Sequence, residues 1–205
     1  MDDRYLVIAG KGSSEIKERG SRFLGEALYA ATAVEAQAEL EMIRRREFSA
    51  SHHCFAWRVG LGEDQTFKYS DDGEPGGSAG RPIYDIVVGR ELTNVIVVVT
   101  RYFGGTKLGT GGLARAYSEA ASLALQRAGI MERYICDSFR LTVGFPVYDR
   151  LEKLLGHMQA EIIRSDFTDA VTLSVNIRRS RTEEMLSALT ELTSGKGKIE
   201  RLEKN

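Results

Sequence analysis

The stretch Val95–Tyr117, VIVVVTRYFGGTKLGTGGLARAY, passes from an almost wholly apolar segment through a glycine-rich one into small and apolar residues at regular spacing. Val95–Phe103 predicts a central strand covered on both faces, because a strand with one wet face alternates apolar and polar residues. Leu113, Ala116, Tyr117, Ala120 and Ala124 recur at helical spacing, and Gly129 is placed to end that helix. A buried strand feeding an amphipathic helix calls for an α+β layer, with the sheet on one side and the helices on the other.

Working outward, residues 4–8 and 15–29 read as strands, the latter a hairpin turning near Gly20. Thr32 with Glu35 forms a capping box for a helix reaching about Glu47. A strand follows at His52–Val59 and a short one at Phe67–Tyr69. Pro82 suits the first turn of a helix ending near Arg90. Beyond a boundary near Arg133–Asp137 the pattern changes. Phe139, Leu141, Val143 and Phe145 alternate as in a strand. Val147, Tyr148, Leu151, Leu154, Leu155 and Met158 follow a helical stripe. Strands are expected at Ile162–Phe167 and Val171–Ile177, then a helix capped by Ser180 and Glu183, then a strand near Ile199–Glu203. Strand, helix, strand, strand, helix, strand is the split arrangement of a ferredoxin-like domain. The expected organisation is therefore two α+β domains, residues 1–134 and 135–205.

Composition narrows the class. With 205 residues, 42% hydrophobic and 28% charged, the chain is an ordinary globular protein. Its formal net charge is −1, balanced in both halves, so no domain is a polycation that would bind nucleic acid by charge alone. Cys54 and Cys136 form no CxxC pair, the acidic start carries no signal-peptide core, and no apolar run can span a bilayer. A cytoplasmic protein without a membrane partner is expected.

Four polar features stand apart from the core pattern: SHHC at 51–54, YSDDGEPGGSAGRP at 69–82, RYFGG at 101–105 and KLGTGGLARAY at 107–117. Asp71, Asp72 and Glu74 read first as a solvated turn, and otherwise as cation ligands or an acid/base pair. Gly76, Gly77 and Gly80 lead into a helix whose free amides can face an anion. Gly104, Gly105, Gly109, Gly111 and Gly112, with Lys107, repeat that offer, either as an anion-binding nest or as a tight crossover. Arg101 and Tyr102 end the buried strand. The arginine is a fork for phosphate or carboxylate, or a partner for Asp71 or Asp72. His52 and His53 point to opposite faces of one strand, so they do not share a metal; one is expected to be buried and the other to join the carboxylates as ligand or base. Cys54 reads as a packed hydrophobe.

HHCFAW, SDDGEPGGSAGRP, VVVTRYFGGTKLGTGGLARAY and the small α+β domain after them resemble the IMPACT family, in its bacterial two-domain branch. Ser78 departs mildly, standing where relatives often carry Thr. The resemblance implies a first domain similar to the second domain of ribosomal protein S five, with a left-handed crossover. It also implies a second domain similar to the fifth domain of elongation factor G. Eukaryotic relatives act in translational control by competing for the activator of a starvation-responsive initiation-factor kinase. Three functions follow as expectations. One is a translation-associated binding protein contacting RNA, the ribosome or a regulatory protein, with Arg178, Arg179, Arg181, Lys196 and Lys198 as nucleic-acid candidates. Another is a metal-assisted hydrolase of a small anionic or phosphorylated substrate. The third is a pure protein-docking module. Neither a cofactor nor a defined metal site is expected from the sequence.

Overall fold

A computed structural model describes residues 3–202, in two compact units. One spans Tyr5–Arg133; the other runs from Tyr134 onward and takes in Asp3 and Arg4.

In the first unit, β2 (Gly12–Glu18) and β3 (Ser21–Tyr29) form the expected hairpin, turning through Arg19 and Gly20, both at positive φ. With β4 (His52–Val59), β5 (Thr66–Ser70) and β6 (Val95–Tyr102) they make one antiparallel sheet in the order β2-β3-β6-β4-β5. The apolar run lies in the middle of that order. Val95, Val97 and Val99 face α2 (Gly80–Gly89) and α3 (Thr110–Ala128), while Ile96 and Val98 pack with α1 (Ala33–Arg46). Each fully buried valine or isoleucine is worth about 1.5–3 kcal/mol relative to exposure, so both faces hold the strand in place.

Helices on one side only is therefore corrected: helices cover both faces. Phe55 and Trp57 alternate with Cys54 and Ala56, and each set lies in a different core cluster. The α1 capping box forms, with Thr32 Oγ1 accepting from the Glu35 amide (3.1 Å) and Glu35 accepting from the Ala31 amide (2.8 Å). β1 (Arg4–Ile8) does not join the large sheet. It pairs with β7 (Ile130–Tyr134), a strand absent from the sequence reading because its residues are mostly exposed and show no periodicity.

The second unit contains β8 (Cys136–Val143), α4 (Phe145–His157), β9 (Glu161–Phe167), β10 (Val171–Arg178), α5 (Thr182–Thr193) and β11 (Lys198–Leu202). The sheet order β11-β8-β10-β9, antiparallel throughout, is ferredoxin-like. Glu203, the expected end of the last strand, lies outside the described residues. The capping box at Ser180 and Glu183 does not form. A short 3-10 turn, Arg179–Arg181, precedes α5, and the Ser180 amide donates to Asp3 Oδ2 (2.9 Å). Thr182 donates to buried Asp137 (2.9 Å), which also pairs with Arg201 (2.9 Å). Distant carboxylates thus replace the local glutamate. Hydrogen bonding from Ser180 holds Asp3 below the usual carboxylate range. For Asp137 burial pushes upward, but its bonds to Arg201 and Thr182 outweigh it and the net shift is downward.

Candidate functional site

The two glycine-rich loops each join a strand to a helix, and their backbone amides have opposite fates. In the first, Asp71 turns back on its own loop. Its Oδ1 accepts from the Ala79 and Gly80 amides, and its Oδ2 from the Gly77 amide, each at 2.9 Å. A helix start draws negative charge, and here the chain supplies it. The expectation of free amides fails at Gly77 and Gly80 for this reason. Gly80 serves packing instead, because a Cβ there would lie 2.6 Å from the Ser70 backbone.

The acidic residues do not converge. Asp72 pairs with Arg44 (3.0 Å) and accepts from the His53 amide (2.6 Å), while Glu74 is buried against Arg101 and Tyr117. Among the described residues no group of three His, Cys, Asp or Glu is placed to hold a metal ion. The proposed ligand set of His52 or His53 with Asp71, Asp72 and Glu74 is therefore dispersed by the fold. Arg101 finds neither Asp71 nor Asp72. Its Nη1 donates to Glu74 Oε1 (2.6 Å), and the Tyr117 hydroxyl donates to the same oxygen (2.8 Å). The guanidinium lies between the rings of Phe23 (5.4 Å) and Phe103 (5.3 Å), and its Nε has no partner. A pair at 5% and 4% exposure is stable only when each member is satisfied by the other.

The second loop stays open. No side chain caps α3 at Gly109, and the first turn of the helix contains no acidic residue. The amides of Thr110, Gly111 and Gly112, the first three of the helix, have no intrahelical acceptor. Of these three residues Thr110 borders a cleft of about 390 Å³, lined also by His52, Glu74, Arg101, Phe103, Lys107, Leu108 and Gly109, among others. Lys107 is exposed and has no ion-pair partner among the described residues. Gly104 has a structural reason: a Cβ would fall 1.9 Å from the Gly20 carbonyl carbon, where the hairpin turn crosses the loop. Gly105 and Gly109 hold positive φ and border open space.

His52 presents a defined tautomer to this cleft. Its Nδ1 lies 2.8 Å from the Asp72 carbonyl oxygen, which can only accept, so Nδ1 carries the proton and Nε2 of the neutral ring keeps a lone pair. Nε2 is 3.9 Å from Glu74 Oε1. His53 takes the buried role on the other face, and burial lowers its pKa from the ordinary histidine value. Tyr102 also leaves the site, its hydroxyl donating to Glu47 Oε2 (2.7 Å) beside α1. Cys54 is fully buried, donates to the Asp71 carbonyl (3.0 Å), and burial pushes its thiol pKa far up.

In the second unit three of the five basic candidates are engaged by partners within the fold. Arg178 lies over the Tyr134 ring (3.6 Å), Arg179 pairs with Asp137 (3.3 Å), and Arg181 pairs with Glu184 (3.2 Å). Lys196 and Lys198 remain exposed or half-exposed near the start of β11. Tyr117, Phe103 and Thr110 were missed as site residues. Tyr117 sits on an apolar helical stripe of alanines, where a hydroxyl is out of place and is the one signal that pointed to a buried polar partner.

Residues 19–125 match the model of the Impact N-terminal domain, which covers more than half of the chain and all of the cleft. The chain belongs to the IMPACT family. Residues 141–196 match a domain of unknown function, DUF1949. The IMPACT family member YvyE of Bacillus subtilis is 33% identical over 195 residues, covering 95% of this chain and 89% of the relative. YigZ of Escherichia coli, also an IMPACT family member, is 32% identical over 194 residues, covering 94% and 95%. The Protein IMPACT homolog of Saccharomyces cerevisiae matches 121 residues at 34% identity, covering 57% of this chain and 46% of the yeast protein. A solved structure described as that of a hypothetical protein superposes over 100% of both chains, with a TM-score of 0.69 at 30% identity. Among the described residues no helix is long and apolar enough to cross a membrane.

Proposed function

We propose that this IMPACT family protein is a translation-associated binding protein of the cytoplasm that contacts RNA through the cleft at the start of α3. The observation that carries the reading is the open loop at 104–112, where the uncapped start of α3 at Thr110, Lys107 and Arg101 border a cleft with an aromatic wall at Phe103. Phosphate is held by amides at a helix start and by cationic side chains, and unpaired bases stack on exposed aromatic rings. A chain of net charge −1 needs such a local site, because its overall charge supplies no attraction for a polyanion. The family resemblance supports a role in translational control and favours RNA of the translation apparatus as the partner.

The test is a titration of a short single-stranded RNA at low and moderate salt, with co-sedimentation of the protein with ribosomes. Lys107→Ala is expected to weaken binding and flatten its salt dependence. Absence of RNA and ribosome association at low salt refutes the proposal. A pull-down in which second-unit surface variants matter and Lys107→Ala does not would favour the docking module.

A further inference from the structure

The cleft lining carries both donors and an acceptor, and the combination narrows its ligand. The donors are the Thr110 amide, which opens α3, and the Lys107 ammonium. The acceptor is His52 Nε2, 3.9 Å from Glu74 Oε1, an oxygen already taken by Arg101 and Tyr117. The Asp72 carbonyl fixes the His52 ring so that Nε2 cannot itself donate when the ring is neutral. A bare lone pair beside a carboxylate oxygen calls for a donor from the ligand. Phe103, half exposed, lines the cleft together with Leu108 and Pro75. Arg101 lines it as well, its guanidinium held by Glu74 and Ser21.

Anion, hydroxyl donor and flat ring, in one small cavity, are the parts of a ribonucleotide. We infer that the cleft holds a single ribonucleoside monophosphate group, free or as the end of an RNA chain. Its phosphate lies at the α3 start and Lys107, a sugar hydroxyl donates to His52 Nε2, and the base rests on Phe103. A monoester phosphate suits the helix start better than a phosphodiester because it offers more oxygens and more charge to the amides. The volume of about 390 Å³ accommodates one nucleotide. This inference rests on the cleft being the functional site.

The experiment titrates the full chain, followed by backbone amide NMR shifts, with adenosine 5′-monophosphate, its 2′,3′-dideoxy analogue, adenosine and inorganic phosphate. Parallel titrations use an RNA octamer with and without a 5′-phosphate. The expected result is binding of the monophosphate, about tenfold weaker binding of the dideoxy analogue, the loss of one net hydrogen bond, and no binding of adenosine. Preference for the phosphorylated octamer over the free nucleotide assigns the site to RNA ends, and the reverse assigns it to free nucleotide. Thr110→Asp places a carboxylate in the first turn of α3; it is expected to keep the fold and abolish all of this binding. His52→Gln, whose amide can rotate to accept, is expected to retain the ribose preference, and His52→Leu to lose it. Equal binding of the octamer with and without its phosphate, together with no binding of the monophosphate, overturns the inference and leaves the RNA-binding proposal standing. Failure of both nucleotide and RNA to bind overturns both. Displacement of the monophosphate by a free amino acid, whose carboxylate and ammonium would match the same donors and acceptor, also overturns it.

Discussion

Loops 71–80 and 104–112 share a composition and a place in the fold, each carrying a strand end into a helix start, yet one is sealed and the other open. The difference comes down to one carboxylate. Asp71 occupies three amides of its own loop, whereas the loop before α3 contains no acidic residue to fold back. Glycine content alone thus says that amides are accessible to some anion; the nearest acid in the chain decides whether that anion is internal. The sealed loop then positions its neighbours, because the Asp72 carbonyl sets the His52 ring and Glu74 holds Arg101 at the edge of the open cleft.

The largest effect is expected where the sealed loop supports the open one. Glu74→Ala leaves the Arg101 charge buried without its partner and should destabilise the first unit by about 3–5 kcal/mol, read as a lower urea midpoint with unchanged slope. Next in size is Asp71→Ala, which strips three amides of their acceptor. A loss of about 2 kcal/mol is expected, at the upper end for a helix cap, and the opened loop should gain phosphate binding that the native loop lacks. If this variant is as stable as the native protein, the two loops are not distinguished by Asp71.

Much of this architecture was legible in the sequence. The capping box at Thr32, the hairpin at Gly20, the buried run at Val95–Val99 and the alternation in the second unit all reflect local periodicity or local hydrogen bonding, which a sequence displays directly. The site was legible as a location and illegible as a wiring. Nothing local says that Asp71 bonds forward to residues 77–80 while Asp72 reaches Arg44 on α1, or that Arg101 prefers Glu74. Such partners are chosen by the packing of helices on both sides of the sheet. For the same reason Ser180 and Glu183 looked like a cap until Asp3 and Asp137, far away in sequence, took the amide and hydroxyl at that turn.

Smaller effects sharpen the comparison. Thr110→Asp supplies α3 with the acid that α2 already has, and is expected to stabilise the first unit by about 0.3–1 kcal/mol while removing anion binding; thermal denaturation and phosphate titration read the two separately. The smallest effect concerns pH. Burial lowers the pKa of His53 relative to the unfolded chain, so the folded state binds this proton less readily. Stability from this residue is full above the unfolded value near about 6.5 and is lost as pH falls below it. Urea midpoints measured downward from neutrality should decline in the native protein more than in His53→Asn.

The central claim is that one glycine loop is closed by its own aspartate and the other is open to an external anion. Titration of the native protein with inorganic phosphate, followed at each backbone amide by NMR, tests it most directly. Shifts at Thr110, Gly111 and Gly112 with silence at Gly77, Ala79 and Gly80 are the predicted result. Shifts at the latter three, or at neither set, would contradict it.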